Sequence, residues 1–327
     1  MSGRVEIHRH RVAEDADSRE AREVWDALCS PAPAIDPRFF YDDRGSELFE
    51  RITGLDEYYQ TRTELALLEA IAGELVDRAR PRELVELGSG AGRKVRLLLD
   101  AIRDRGLLTS CVMFDINASF LEGSCRRLAA DFPEMMVRGI QGDFTRDLAA
   151  IGVGPSRLFI LLAGTIGNLH PDRLPGFLRV VRGAMVADDR FLVGLDLVKD
   201  RGVLEAAYND ADGVTAAFNR NILAVLNSRF GTDFDPDAFD HVAVWDGDRQ
   251  WIEMRLMARR SMTVRRPDDD RRLELDAGDE IRTEISCKFT RSSFARHLAG
   301  TGLVLDRWWT DPGRLFALAL LQPGEHP

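Results

Sequence analysis

The chain has 327 residues, 45% of them hydrophobic, so it is long enough to bury a sizeable core, and its formal net charge of -10 gives no basic face for a nucleic-acid backbone. No apolar run approaches the roughly 20 residues that cross a bilayer as a helix, and the polar segment after Met1 does not read as a secretion signal, so a soluble cytoplasmic protein without membrane or nucleic-acid partners is expected. Four widely spaced cysteines (Cys29, Cys111, Cys125, Cys287) and six histidines without ligand spacing predict reduced, buried thiols and no metal site.

Residues 1–35 are polar and end in "SPAPAIDP", where prolines interrupt any helix, so an N-terminal arm is expected there, with His8 and His10 in a mobile terminus. Beyond Arg38, apolar residues at helical spacing (Leu48, Phe49 and Ile52, then Leu65, Leu67, Leu68 and Ile71) predict two helices flanking a short aromatic loop at Tyr58 and Tyr59. Five short apolar runs follow: "ELVEL" (83–87), "CVMFDI" (111–116), "MMVRGI" (135–140), "RLFILLAG" (157–164) and "RFLVGLDL" (190–197). Amphipathic stretches separate them, an alternation that predicts an α/β fold with a mainly parallel sheet covered by helices.

After Asp200 the pattern changes to a long helical stretch and then to "QWIEMRLMARRSMTV" and "RRLELDAGDEIRTEISCKF", two alternating segments joined by a polar turn region and expected to be antiparallel. "LVLDRWWTD" and "RLFALALLQ" close the chain as a pair of strands. The expected organisation is an N-terminal arm (1–35), a segment contributing to a substrate cap (36–59), an α/β domain (60–199 and 287–327) and an inserted α+β cap (200–286).

The turn after the first of the five runs is Gly88, Ser89, Gly90, Ala91, Gly92. Arg93 stands where a dinucleotide fingerprint has its last glycine, and the same position fails the phosphate-loop pattern. What remains is E-x-G-x-G (Glu86, Gly88, Gly90), at the carboxyl end of a strand where open α/β sheets bind ligands. The next strand ends in Asp115, suited to ribose hydroxyls, and a third leads into "GDF", which places Asp143 for an adenine amino group and Phe144 beside the ring. A glycine loop and two strand-end acids in this order resemble the class I S-adenosylmethionine-dependent methyltransferases, Rossmann-like proteins.

Longer stretches resemble one family within that class: "FFYDDRGSELFERITGLDEYYQTRTE", "ELGSGAGRKVRLLLDA", "GTIGNLHPD", "DLVKD", "AYNDADGVTAAFNRNILAVLN", "WIEMRL", "RTEISCKF" and "WWTDP". Together they are similar to the histidine Nα-methyltransferases of ergothioneine biosynthesis, over roughly residues 36–322. The resemblance implies three successive methyl transfers from S-adenosylmethionine to the α-amino nitrogen of L-histidine, through its methylated intermediates, giving hercynine and S-adenosylhomocysteine. For the cofactor it implies Tyr58, Gly88, Lys94, Asp115, Asp143 and Phe144, with Lys94 toward the methionine carboxylate. For the substrate it implies Asn168 and Tyr208 on the carboxylate, Glu284 and Ser286 on the imidazole, and Met254 against the ring.

Tyr41 and Phe49 are the aromatic residues expected near the reacting amine, Tyr41 with a catalytic part in proton removal. In "IRTEISCKF", strand alternation sets Arg282, Glu284 and Ser286 on one face, opposite Ile281, Thr283 and Ile285. The chain departs from the family pattern at Ala163-Gly164, where a Gly-Ser pair is usual, and at Arg93, where an acid is usual. Two alternatives stay open at this stage: methylation of another amine such as tryptophan, and cofactor binding without turnover. Oligomeric state is not encoded in any motif, and a monomer is the default expectation.

Overall fold

The computed structural model describes residues 4–9, 16–88, 92–267 and 269–324, so Ser89, Gly90 and Ala91 of the glycine turn, and His10, lie outside the described residues. The first half of the chain supplies β1 (Val5–Arg9), α1 (Ala16–Leu28), α2 (Asp43–Ile52), α3 (Tyr59–Ala79), β2 (Glu83–Leu87), α4 (Arg93–Arg103), β3 (Ser110–Asp115), α5 (Ala118–Asp131), β4 (Met136–Gln141) and β5 (Arg157–Leu161). Next come α6 (Leu174–Ala184), β6 (Arg190–Asp196), α7 (Arg201–Ala206), α8 (Val214–Phe230), β7 (Phe239–Asp246), β8 (Trp251–Ala258), β9 (Met262–Arg266) and β10 (Asp269–Leu275). The chain ends with β11 (Glu280–Cys287), α9 (Arg291–Leu298), β12 (Leu303–Thr310) and β13 (Phe316–Pro323). These elements form two compact units, the first from Met1–His10, Gln60–Val198 and Cys287–Pro327, the second from Arg11–Tyr59 and Lys199–Ser286.

The first unit is built on an eight-stranded sheet in the order β1-β4-β3-β2-β5-β6-β13-β12. Strands β1 to β6 pair in parallel, and β13 runs antiparallel to both β6 and β12. Every residue of β2 and β5 is buried, which accounts for their unbroken apolar runs rather than alternation. Leu68, Leu75 and Val76 of α3 pack with Leu84, Met113, Ile160 and Leu192 of the sheet in one continuous core. Because the chain winds from β2 outward through β3 and β4 and then returns to β5, the order reverses between β2 and β5. A switch of this kind opens a crevice at the strands' carboxyl ends.

The second unit holds a three-stranded sheet, β11-β8-β7, and the hairpin β9-β10. The two alternating segments expected from sequence are therefore four strands, and β7, not anticipated, pairs antiparallel with β8 from Phe239 opposite Ala258 to Asp246 opposite Trp251. Pro33 to Ile35, expected to be part of a loop, bridge β11: Ile35 N–H donates to Arg282 O at 2.9 Å, and Arg282 N–H to Pro33 O at 3.0 Å.

The expected polar arm is a correction. Residues 5–9 form an edge strand against β4, with His8 opposite Ile140, and residues 16–28 form a helix in which Trp25 and Leu28 are fully buried. Charged residues alternate with apolar ones in "VEIHR", and an edge strand with one wet face satisfies that pattern as well as a solvated arm does. Cys111, Cys125 and Cys287 are buried as expected, whereas Cys29 is half-buried; none of the four forms a disulfide among the described residues. Burial raises the Cys125 thiol to about 12 and that of Cys287 to about 11, so neither supplies a thiolate near neutral pH.

Candidate active site

Five of the six expected cofactor residues, Gly88, Lys94, Asp115, Asp143 and Phe144, lie in the first unit at or just after the carboxyl ends of β2, β3 and β4, and the sixth, Tyr58, belongs to the second unit. Gly88 follows β2 with φ +83°, in the left-handed region, and its N–H donates to Phe114 O at 2.8 Å. Among the described residues, a Cβ added there would meet Phe144 Cε1 at 3.9 Å, so Phe144 stands beside Gly88. Asp115 ends β3 and accepts Asn117 N–H at 2.9 Å. Asp143 accepts the Thr145 N–H at 2.9 Å and its hydroxyl at 2.6 Å, with Arg146 Nε at 3.1 Å.

Burial works against ionisation of Asp143, but the Thr145 and Arg146 contacts outweigh it and hold the carboxyl below its ordinary range. Both acids thus make their local turns. Glu86 behaves oppositely: burial first, and then the charge of Asp115, push its carboxyl well above the usual value despite Lys94, and its Oε2 has no hydrogen-bond partner among the described residues.

Lys94 stands in the first turn of α4, after Gly92 at φ +73° and with no side-chain cap on the helix. Its ammonium pairs with Glu64 of α3, a carboxylate with 0% exposed surface. Both Glu64 oxygens also accept the Ala163 N–H, at 3.0 and 2.8 Å, in the loop after β5. A Cβ at Gly194 of β6 would lie 2.0 Å from Glu64 Oε1, so that glycine makes room for the buried acid. Glu64 was not foreseen: on a helix face it looks like any polar residue, and its partners lie 30 and 99 positions away. Asn168 closes the short 3₁₀ turn Thr165–Asn168 that follows this loop and is half-buried.

In the second unit four rings form a cluster. Tyr41 meets Phe49 edge-on at 5.9 Å between centroids, Phe49 meets Tyr58 at 6.3 Å, and Phe218 of α8 lies 6.1 Å from Tyr41 and 6.0 Å from Phe49. The expected neighbours Tyr41 and Phe49 are therefore together, joined by Tyr58 and by Phe218, whose place in the helical stretch "VTAAFNRN" gave no such signal. Phe40, stacked on Phe218 at 4.5 Å, backs the cluster.

The same unit holds Tyr208, Glu284, Ser286 and Met254, all buried. Glu284 at 8% and Ser286 at 6% exposure exclude a solvated outer face for this part of β11. The Tyr208 hydroxyl donates to Ser286 Oγ at 2.8 Å. Thr283, on the opposite face, donates to Asn219 Oδ1 at 2.6 Å and contacts the Met254 carbonyl at 3.1 Å, tying β11 to α8 and β8.

Asn219 sends one amide hydrogen to Arg255 O at 2.9 Å and one toward His241 Nδ1 at 2.8 Å, while His241 Nε2 lies 2.8 Å from the Tyr208 carbonyl. A carbonyl only accepts, so the network assigns the proton to Nε2 and leaves Nδ1 as the acceptor. Burial, the larger influence, lowers the His241 pKa and matches that neutral form, with the Tyr208 contact opposing. Asp210 finishes the clamp on this segment by accepting the Val214 and Thr215 N–H groups at the start of α8, each at 2.7 Å.

Among the described residues, no group of three or more His, Cys, Asp or Glu side chains could hold a metal ion, and no helix is long and apolar enough to cross a membrane. The first unit's left-handed Gly88 and its strand-end acids fit an adenosine-bearing ligand. The second unit's buried carboxylate, hydroxyls and rings fit a small polar amine.

Comparison with known proteins points the same way. The model of a family described as histidine-specific, S-adenosylmethionine-dependent methyltransferases matches residues 20–323. A histidine N-alpha-methyltransferase of Mycolicibacterium smegmatis is 42% identical over 97% of this chain and 98% of its own length, and one from Mycobacterium tuberculosis is 43% identical over 97% and 99%. Ergothioneine biosynthesis protein 1 of Schizosaccharomyces pombe is 32% identical over 68% of this chain and 30% of that longer protein.

Proposed function

This chain belongs to the family of histidine-specific, S-adenosylmethionine-dependent methyltransferases, and from that premise we propose that it methylates the α-amino nitrogen of L-histidine three times, giving hercynine, in ergothioneine biosynthesis. The observation that carries the substrate is the buried pair Glu284 and Ser286 on one face of β11, beside Tyr208. The first unit has the mainly parallel, Rossmann-like sheet of class I methyltransferases, and the resemblance assigns cofactor contacts to Tyr58, Gly88, Lys94, Asp115, Asp143 and Phe144. Asn168 keeps the carboxylate contact that the resemblance gives it. The partners are small molecules, and the setting proposed is the cytoplasm, with a monomer as the working unit.

When bound, S-adenosylmethionine supplies a methyl group made electrophilic by a cationic sulfur. The chain's own residues then have to position the amine, exclude water and handle protons. Glu284 accepts the proton of one imidazole nitrogen. With Tyr208 donating to Ser286, the serine's own hydrogen is directed to the other nitrogen, and together they select a neutral imidazole. A neutral donor such as the Asn168 amide orients a carboxylate without bringing a cation that would repel the sulfonium.

Only an unprotonated amine has a lone pair to donate, so turnover rises with pH through the amine's titration, and Tyr41 is assigned to help remove protons. As methyl groups accumulate, the nitrogen becomes a quaternary cation that cannot donate hydrogen bonds. The rings of Tyr41, Phe49, Tyr58 and Phe218 suit it through cation–π attraction.

The test is to incubate the protein with S-adenosylmethionine and each standard amino acid separately and read product masses. Histidine alone gaining one, two and three methyl groups is expected. Methylation of tryptophan instead would overturn the substrate, and S-adenosylmethionine binding without any methylated product would overturn the enzyme.

A further inference from the structure

Resting on the S-adenosylmethionine reading above, we propose that one face of α3 holds the amino-acid end of that cofactor, with Gln60 binding it directly and Glu64 acting as a positioning residue through Lys94. Gln60 is 3% exposed, and among the described residues neither its Nε2 nor its Oε1 has a hydrogen-bond partner. Both halves of a buried amide are rarely left unmet, because each gave up water on folding. An unpaired buried amide of this kind is what a site built for a polar ligand leaves behind before the ligand arrives.

The location follows from Glu64. It lies four residues after Gln60 on α3, so the two side chains share a helix face, about 6 Å apart along the axis. Glu64 is fixed to the Ala163 N–H, after β5, and to Lys94, after β2. That face of α3 therefore looks onto the two strand ends where the sheet order reverses. Asp115 ends β3 and Asp143 follows β4, on the other side of β2, where they suit the ribose and adenine. The strand order thus assigns the adenosine to the β3–β4 side and the remainder of the cofactor to the α3–β5 side.

The chemistry matches. A primary amide offers a donor and an acceptor, and an α-amino acid presents a carboxylate and an ammonium. Lys94 has three ammonium hydrogens, so its pairing with Glu64 fixes the side chain and leaves others for a carboxylate.

The experiment compares two ligands by titration calorimetry: S-adenosylhomocysteine, which has the amino-acid end, and 5′-methylthioadenosine, which lacks it. In Gln60→Met, of similar length but apolar, S-adenosylhomocysteine affinity is expected to fall about tenfold or more, while methylthioadenosine affinity changes less than about twofold. Glu64→Gln keeps an acceptor for the Ala163 N–H and removes the charge that holds Lys94, and the same selective loss is expected.

Equal loss of both ligands would show a general effect on folding or on the adenosine site and would overturn the proposal, as would no loss of either. Weakened histidine binding with unchanged S-adenosylhomocysteine binding would reassign the amide to the substrate and overturn it as well. If the unmutated protein binds neither nucleoside, the cofactor reading itself fails and the proposal with it.

Discussion

The Tyr208 hydroxyl donates to Ser286 Oγ across 2.8 Å, so a residue expected at the substrate carboxylate and one expected at its ring form a single hydrogen-bonded pair. A phenol has one hydrogen and cannot donate it to both a serine and a carboxylate. Tyr208→Phe and Ser286→Ala are therefore expected to be non-additive in histidine affinity, with a coupling of about 0.5–3 kcal/mol in a double-mutant cycle. Strict additivity in calorimetric Kd values would mean that the pair separates when substrate binds.

Glu284→Ala removes a charge-assisted hydrogen bond to the imidazole. The expected loss is about 1.5–3 kcal/mol, or roughly ten- to a hundredfold in histidine affinity. Unchanged histidine Kd in a variant with normal melting would refute the ring contact.

Tyr41→Phe and Phe218→Ala separate the hydroxyl from the aromatic wall. Tyr41→Phe keeps a ring beside Phe49 and Phe218, so the affinity for hercynine is expected to hold while kcat falls. Phe218→Ala is expected to weaken hercynine binding by about 0.5–2 kcal/mol, more than it weakens histidine binding, because only the quaternary ammonium is held mainly by ring faces. Equal weakening of both ligands by Phe218→Ala would assign that ring to packing alone.

Ala163 has φ +64°, in the left-handed region, where its Cβ is strained. Ala163→Gly relieves that strain but returns conformational freedom to the unfolded chain, and the net expectation is a gain of about 0.5–1 kcal/mol in stability. Thermal melting checks this directly, and a lower Tm would show that the methyl group makes contacts worth more than the strain.

Glu86 supplies a pH prediction. Its folded-state pKa is raised well above the ordinary 4.5, so above that pH the unfolded chain releases a proton that the folded chain retains. Stability contributed at this site is accordingly full below 4.5 and falls as pH rises toward the folded value. Glu86→Gln removes the titration, and its melting temperature relative to the parent is expected to climb steadily from pH 5 upward. A constant difference across pH would mean that the buried carboxyl ionises in the fold as easily as in water.

The sequence by itself determined the local elements and the order in which they use the chain. Apolar runs gave the parallel strands, alternation gave Glu284 and Ser286 a shared face, and a glycine turn followed by strand-end acids marked the cofactor side. Such features depend on residues within a few positions of one another, so periodicity and spacing carry them. Long motif runs then narrowed the substrate, which no periodicity specifies.

Tertiary structure alone decided the rest. The edge strand at Val5–Arg9 needed β4 to complete it, and Pro33 to Ile35 became ordered backbone only against Arg282. Phe218 joined Tyr41 and Phe49 from a helix about 170 residues away in sequence. Glu64 and Gln60 read as ordinary polar residues of α3 until the fold buried both, pairing one with Lys94 and Ala163 and leaving the other's amide without a partner among the described residues. A buried polar group derives its role from the partners that share its low-dielectric surroundings, and those partners are chosen by chain topology rather than by neighbouring residues.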